Sequence, residues 1–139
     1  MRLIAFAIIA LCLILGIKHW RQSRDPLAHA TASAQGFVSV PMPDGAQART
    51  VLIFTPRNCP SDWAQRAQAL ADALMREGIP AQRSSHYRVS MVDPTPEQEQ
   101  ALQRFTALSK QPGPLVLING QAKANPSADE VIAQYRSDH

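Results

Sequence analysis

The chain has 139 residues, which is enough for one small domain and a short additional segment. Its formal charge of +3 comes entirely from residues 2–25, because the rest of the chain carries equal numbers of acidic and basic side chains. This distribution gives no support to nucleic-acid binding. The two cysteines and four histidines are too few and too scattered for a disulfide framework or a metal site, so we expect neither.

The N-terminal segment, residues 1–24, has the pattern of a membrane anchor. Its fifteen residues Leu3–Ile17 carry no charged side chain, and basic residues lie on both sides: Arg2 before the run, and Lys18, Arg21 and Arg24 after it. A comfortable span takes about 20 residues, but snorkelling lysine and interfacial tryptophan extend the reach. The pattern predicts an uncleaved, single-pass anchor in a bacterial-type inner membrane, with anionic lipid as a partner. The basic flanks favour a cytoplasmic C-terminal domain by a small margin.

Residues 25–49 are predicted to form a tether that contains one short strand. Asp25–Gln35 is rich in small and polar residues and has no sustained period. Phe37–Val40 alternates in polarity and is followed by two prolines and the turn signal Asp44-Gly45. Because proline cannot donate to a central ladder, this strand is expected at an edge of the sheet.

Residues 50–139 are predicted to form the domain proper, which starts with a strand–helix–strand unit. Val51–Phe54 is a continuous apolar run, typical of a strand covered on both faces. The helix that follows ends at Gly78, and its apolar residues recur at helical spacing: Trp63, Ala67, Leu70 and Leu74. His86–Val92 is predicted to be the second strand, parallel to the first through a right-handed crossover.

The second half of the domain continues with a helix, two strands and a helix. Thr95 and Gln98 form the capping box of the first helix, and Ser127 and Glu130 form that of the last. Between them, an apolar strand runs into Asn119-Gly120, the strongest short signal for a tight hairpin. The predicted order is β-α-β-α-β-β-α, a three-layer α/β domain with a mixed four-stranded sheet.

Two motifs, in this order, resemble the glutaredoxin branch of the thioredoxin-like fold over about residues 50–136. "IFTPRNCPSD" is similar to the family's strand, loop and helix with a Cys-Pro-x-Cys motif, and Cys59 falls at the nucleophile. "PLVLING" is similar to the segment that opens with the family's cis-proline, and Pro114 falls at that proline. The resemblance implies a thioredoxin-like domain behind the membrane helix, with a cis Pro114 close to Cys59.

The same resemblance implies the site residues. Cys59 is expected to be catalytic, with Pro60, Gly113 and Pro114 contributing the substrate groove and Arg57 orienting an anionic thiol. Glutathione is the cofactor that the family uses, and glutathione or a protein thiol is the expected partner. The dipole of a helix that begins at Cys59 favours the reactive thiolate, whereas the charge of Asp62 opposes it.

Two departures from the family pattern leave the function open between two classes. Asp62 replaces the second, resolving cysteine, and "KANPSADE" replaces the segment that grips the γ-glutamyl end of glutathione. "CPSD" also differs from the Cys-Gly-Phe-Ser motif of cluster-binding relatives. One hypothesis is a membrane-anchored thiol–disulfide or glutathione-linked oxidoreductase that works through one cysteine. The alternative is a non-enzymatic thioredoxin-like module that binds a protein, with Cys59 a small apolar filler at the start of a helix.

Overall fold

The computed structural model describes residues 2–22 and 25–139, which form a mixed α/β structure. Helix α1 (Arg2–Gln22) precedes β1 (Val38–Ser39), β2 (Val51–Phe54), α2 (Ser61–Arg76), β3 (Ala81–Ser84), α3 (Pro96–Ser109), β4 (Leu115–Ile118), β5 (Gln121–Ala124) and α4 (Ala128–Ser137). From β2 onward this is the predicted alternation of strands and helices.

The strands form one sheet in the order β1-β5-β4-β2-β3. β2 and β3 are parallel, whereas the β2–β4, β4–β5 and β1–β5 pairs are antiparallel. The parallel pair follows from the crossover through α2, and the β4–β5 pair follows from the tight turn at Asn119-Gly120. The sheet has five strands because Val38–Ser39 adds to β5 at the edge, as its nearby prolines predict.

Successive residues of the central strands pack on opposite faces of the sheet. Val51 and Ile53 belong to a core under α2 and α4, together with Leu70, Leu74 and Val131. The opposite face of the sheet is covered by α3 and holds a second core, made of Val38, Val40, Leu52, Phe105, Leu108, Leu115, Leu117 and Ala122. The domain therefore has three layers, with one helix on one face and two on the other.

Both predicted capping boxes are present. The Thr95 side chain accepts a hydrogen bond from the Gln98 N–H, and the Gln98 side chain accepts one from the Thr95 N–H. Ser127 and Glu130 make the same reciprocal pair at α4. These local signals fix where α3 and α4 begin, because they satisfy N–H groups that have no partner inside the helix.

The predicted second strand, His86–Val92, is wrong. The strand that pairs with β2 is Ala81–Ser84, directly after the turn at Gly78, and the Val51 N–H donates to the Pro80 carbonyl (2.8 Å). This strand lies at the sheet edge and is polar, so it has no apolar signal. The apolar residues of 86–92 have another use, since Tyr87 stacks on Phe105 with ring centroids 3.6 Å apart.

Part of the segment predicted to be a tether packs on the domain. The Ser33 hydroxyl donates to Gln134 Oε1 (2.6 Å), and Gln134 is almost fully buried. Lys123 Nζ donates both to the Gln35 carbonyl and to Glu130 Oε1, each at 2.8 Å. These bonds attach residues 33–35 to α4 and β5.

The predicted transmembrane anchor is also wrong. Among the described residues, no helix is both long and apolar enough to cross a membrane. The apolar run Leu3–Ile17 rises about 22 Å at 1.5 Å per residue, against about 30 Å of bilayer hydrocarbon, and α1 then continues with Lys18 and Arg21. A membrane location is therefore not supported. Arg24, the last residue of the predicted basic flank, lies outside the described residues.

Candidate functional site

Cys59 lies in the loop between β2 and α2, two residues before the helix begins. Its N–H donates to the Pro56 carbonyl (3.1 Å), which closes a turn, and its side chain is half-buried. Pro60 is the residue that caps α2, with φ −53°, and its carbonyl accepts the Trp63 N–H (3.0 Å). The sequence therefore places the thiol at a helix N-terminus, as predicted.

An open groove of about 320 Å³ lies beside Cys59. The lining residues come from the β2–α2 loop, α2 and the end of β3: Thr55, Pro56, Arg57, Cys59, Ala64, Arg83, Ser84 and Ser85. We call this the Cys59 groove. Its lining contains two guanidinium groups, three hydroxyls and no carboxylate. The charge and hydrogen-bonding capacity of this lining suit an anionic ligand.

Arg57 meets a residue that the sequence analysis did not connect with the site. Its Nη2 atom contacts Nε2 of His86, the second residue after β3. The other ring nitrogen of His86 lies 3.3 Å from the Ser85 hydroxyl, and the His86 N–H donates to Ser84 Oγ (3.2 Å). The wrong assignment of residues 86–92 to a strand hid this contact, and Arg83 was missed for the same reason.

Asp62, at the position of the family's second cysteine, acts as a surface residue of α2. Its carboxylate lies 3.2 Å from Arg66 Nη2, one turn further along the helix, and both side chains are about half exposed. An exposed pair of this kind contributes at most about 1 kcal/mol. The structure thus assigns Asp62 an ordinary role in the first turn of a helix.

Gly113 and Pro114 are not among the residues that line the Cys59 groove. Pro114 lines a different groove, of about 260 Å³, with Arg66, Ala69, Leu70, Asn125, Pro126 and Ala128. Every peptide bond that the structure describes is trans, so the predicted cis Pro114 is wrong. Of the five predicted site residues, Arg57 and Cys59 line the same groove, Pro60 lies between Cys59 and α2, and Pro114 lines the second groove.

Gly113 and Pro114 are both held by close contacts with Asn125. Gly113 has φ +96°, and a Cβ atom added there would lie 2.6 Å from the Cβ, Cγ and Oδ1 atoms of Asn125. The Asn125 N–H donates to the Pro114 carbonyl (2.7 Å). This packing ties the start of β4 to the end of β5. Gly113 and Pro114, which the resemblance assigned to a substrate groove, therefore hold the start of β4 against the end of β5. They give no support to the glutaredoxin and redox assignments.

Among the described residues, the side chains with clearly perturbed pKa values are Asp44, Tyr87 and Glu130, and none of them lines the Cys59 groove. Hydrogen bonds from Lys123 and Ser127 lower the pKa of Glu130 at the start of α4. Hydrogen bonds from the Ser90 side chain and backbone lower the pKa of Asp44, with a smaller contribution from Arg88. Burial raises the pKa of Tyr87 well above its usual range, and its hydroxyl donates to the Pro41 carbonyl (2.5 Å). Both groups hold residues 41–44 against residues 87–90, which explains their shifts without a catalytic role.

Comparison with known proteins finds no matching family model, no matching curated protein and no matching solved structure.

Proposed function

We propose that residues 50–139 form a thioredoxin-like domain. The topology supports this proposal: β2 and β3 are parallel and joined through α2, and β4 and β5 form an antiparallel hairpin beside β2. Two helices cover one face of the sheet and one covers the other. This is the arrangement that the glutaredoxin resemblance implies, with β1 as an added edge strand.

We further propose that the domain is a non-enzymatic binding module whose ligand, a segment of another protein, occupies the Cys59 groove. The observation that carries this proposal is that Cys59 and Pro114 line different grooves. Pro114 lines another groove, and Asp62 stands where a second thiol would be needed. A groove with one thiol, and without Pro114 in its lining, retains a surface for binding but lacks the parts of a dithiol cycle.

The test is site-specific photo-crosslinking of the full chain in the cells that produce it. Ala64 and Ala69 are exposed residues of the same helix; Ala64 lines the Cys59 groove and Ala69 lines the Pro114 groove. A benzophenone amino acid at position 64 should give a discrete adduct, and the same group at position 69 should not. Cys59→Ser should leave the adduct unchanged, because binding does not require the thiol.

Two results would contradict the binding module. Adducts at position 69 alone, or none at either position, would remove the Cys59 groove as the binding site. An adduct that disappears in Cys59→Ser would show that the partner is held by a disulfide. The same conclusion would follow from an adduct that forms without irradiation and is released by a reducing agent.

That last result belongs to a second candidate function, thiol–disulfide exchange through Cys59. It is favoured by one observation: the half-buried thiol shares its groove with the guanidinium groups of Arg57 and Arg83. In this exchange the Cys59 thiolate attacks a disulfide, one S–S bond breaks as one forms, and the leaving thiolate departs. An external thiol such as glutathione, or a protein thiol, then resolves the mixed disulfide. Incubation with oxidised glutathione should then add one glutathione to the wild type and none to Cys59→Ser, as measured by the mass of the chain after Cys12 is replaced by serine.

A further inference from the structure

The strongest constraint on the ligand of the Cys59 groove comes from the contact between Arg57 and His86. A guanidinium has five N–H donors and no acceptor. The Nε2 atom of His86, which faces Arg57 Nη2, must therefore accept the hydrogen bond. It follows that the imidazole is neutral in this contact and carries its proton on Nδ1, the atom that lies 3.3 Å from the Ser85 hydroxyl.

Protonation of His86 removes this acceptor. The added proton sits on Nε2, so that a donor faces a donor and two positive charges face each other. The guanidinium of Arg57 then loses its hydrogen bond to His86 and moves away from the imidazolium. Arg57 lines the Cys59 groove, whose lining also contains Arg83 but no carboxylate. A ligand carboxylate is the partner that such a displaced guanidinium lacks.

The other charged and titratable groups near His86 do not oppose this release. Arg83 on β3 and Cys59 line the same groove. Of the neighbours of His86 in sequence, Tyr87 turns its hydroxyl to the Pro41 carbonyl, and Arg88 contributes to the lowered pKa of Asp44. No described carboxylate lines the groove to hold Arg57 once the His86 contact is broken.

We propose that His86 is a positioning residue that restrains Arg57, and that acid releases Arg57 to bind an acidic segment of a partner protein. This inference rests on the binding role proposed above for the Cys59 groove. Histidine is the side chain that ordinarily changes charge between about pH 5 and 8. The affinity for an acidic segment therefore rises as the pH falls across that range.

The probe is a fluorescein-labelled hexaglutamate peptide, measured by fluorescence anisotropy with the full chain at low ionic strength. Glutamate carboxylates titrate near pH 4.3, so the peptide remains mostly ionised at about pH 6 as well as at about pH 8. Binding by the wild type should be about fivefold tighter at the lower pH, the effect of one exposed ion pair of about 1 kcal/mol. A labelled hexaglutamine peptide should show no such change.

Two substitutions of the exposed His86 should have opposite effects. His86→Gln supplies an oxygen that accepts from Arg57 at every pH, so binding should remain weak throughout. His86→Leu supplies no acceptor, so binding should be tight at both pH values. Neither variant should retain the pH dependence, whereas His29→Leu, at an exposed histidine outside the groove, should retain it in full. A purely structural role for His86 would move both variants in the same direction.

Arg57→Gln distinguishes two explanations of the pH dependence: release of Arg57 by protonated His86, and direct attraction of the acidic peptide by the imidazolium charge. It should weaken binding about fivefold at the lower pH and abolish the pH dependence, because His86 then has nothing to release. Persistent pH dependence in Arg57→Gln, or similar behaviour of the two His86 variants, would overturn the inference. Arg76→Gln, near the far end of α2, controls for the loss of one positive charge.

Failure of this inference can be distinguished from failure of the proposed function. Without an adduct at position 64 in the wild type, the binding module itself fails. If that adduct forms in the wild type but the peptide binds equally to the wild type, His86→Gln and His86→Leu at both pH values, the module stands and only the control by His86 is refuted.

Discussion

Replacement of Gly113 by alanine tests whether this residue serves the fold or a substrate groove. At φ +96° an alanine is strained by about 1–2 kcal/mol. Its Cβ would also lie 2.6 Å from Asn125, and relief of such overpacking costs about 1–3 kcal/mol. Reduced entropy of the unfolded chain offsets about 0.4–1 kcal/mol. The free energy of unfolding should therefore fall by roughly 3 kcal/mol, a large part of the ~5–15 kcal/mol typical of a domain.

Gly45→Ala is the matched control. Gly45 also has a positive φ, +77°, but a Cβ added there would meet nothing within 4 Å. Only the backbone term applies, so the loss should be about 1 kcal/mol or less. The difference between the two variants isolates the contact with Asn125.

A double variant completes the test. Asn125 itself has φ +47°, so glycine fits its backbone, and Asn125→Gly removes the side chain that an alanine at position 113 would strike. Gly113→Ala combined with Asn125→Gly should recover about 2 kcal/mol relative to additivity, measured by urea unfolding of the full chain. Equal losses for Gly113→Ala and Gly45→Ala, or additive losses in the double variant, would refute the packing argument.

Three further substitutions test the polar contacts that hold the irregular segments on the domain. Hydrogen bonds from Ser90 lower the pKa of Asp44 from its ordinary value of 3.8. The ionised carboxylate therefore stabilises the folded state above pH 3.8, and this stabilisation is lost as the pH falls through the lower pKa of the folded state. The wild type and Asp44→Asn should thus differ in urea midpoint near neutral pH and converge below about pH 4; a constant difference would contradict the linkage. Gln134→Leu should lower the free energy of unfolding by about 1–3 kcal/mol in urea titrations, because it removes the hydrogen bonds of the buried Gln134 to Ser33, Gln121 and Asp138; a neutral effect would show that these bonds add no net stability. Tyr87→Phe should cost about 1 kcal/mol in the same assay, because it removes the donor to the Pro41 carbonyl but keeps the ring; a loss near 3 kcal/mol would mean that the ring packing had changed as well.

The parts of the fold that the sequence predicts well are those with a complete local signal. Asn119 and Gly120 both adopt positive φ, as the tight turn between β4 and β5 requires. Thr95 with Gln98, and Ser127 with Glu130, satisfy the first N–H groups of their helices within four residues. Each signal acts on its own neighbours, so no knowledge of distant contacts is needed to read it.

The position of β3 could not be read in this way. Its residues Ala81–Ser84 expose polar side chains at the sheet edge and have no apolar alternation. What fixes the strand is its pairing with β2, thirty residues earlier in the chain, and the short connection after Gly78. Tyr87 meanwhile packs on Phe105 of α3, so its apolar character indicated burial correctly but not a strand.

The membrane prediction failed for a different reason, which is geometric. The composition of Leu3–Ile17 is that of a bilayer segment, and the prediction relied on Lys18 and Trp20 to extend its fifteen residues. Among the described residues no helix meets both conditions, since the apolar part of α1 stops at Lys18. The same fifteen residues thus satisfy one requirement of a span and miss the other.

The outcome at the predicted site depends on which of its contacts belong to the core and which are local. The strand before Cys59 and the hairpin after Pro114 are stabilised by core packing, because Ile53 and Val116 lie in the same core. The contact of Gly113 with Asn125 and the pairing of Asp62 with Arg66 are local and can change without disturbing that core. Arg57 then lacks a carboxylate in its groove and meets His86 instead. Core packing therefore does not determine the chemistry of the loops, which has to be argued from the groove itself.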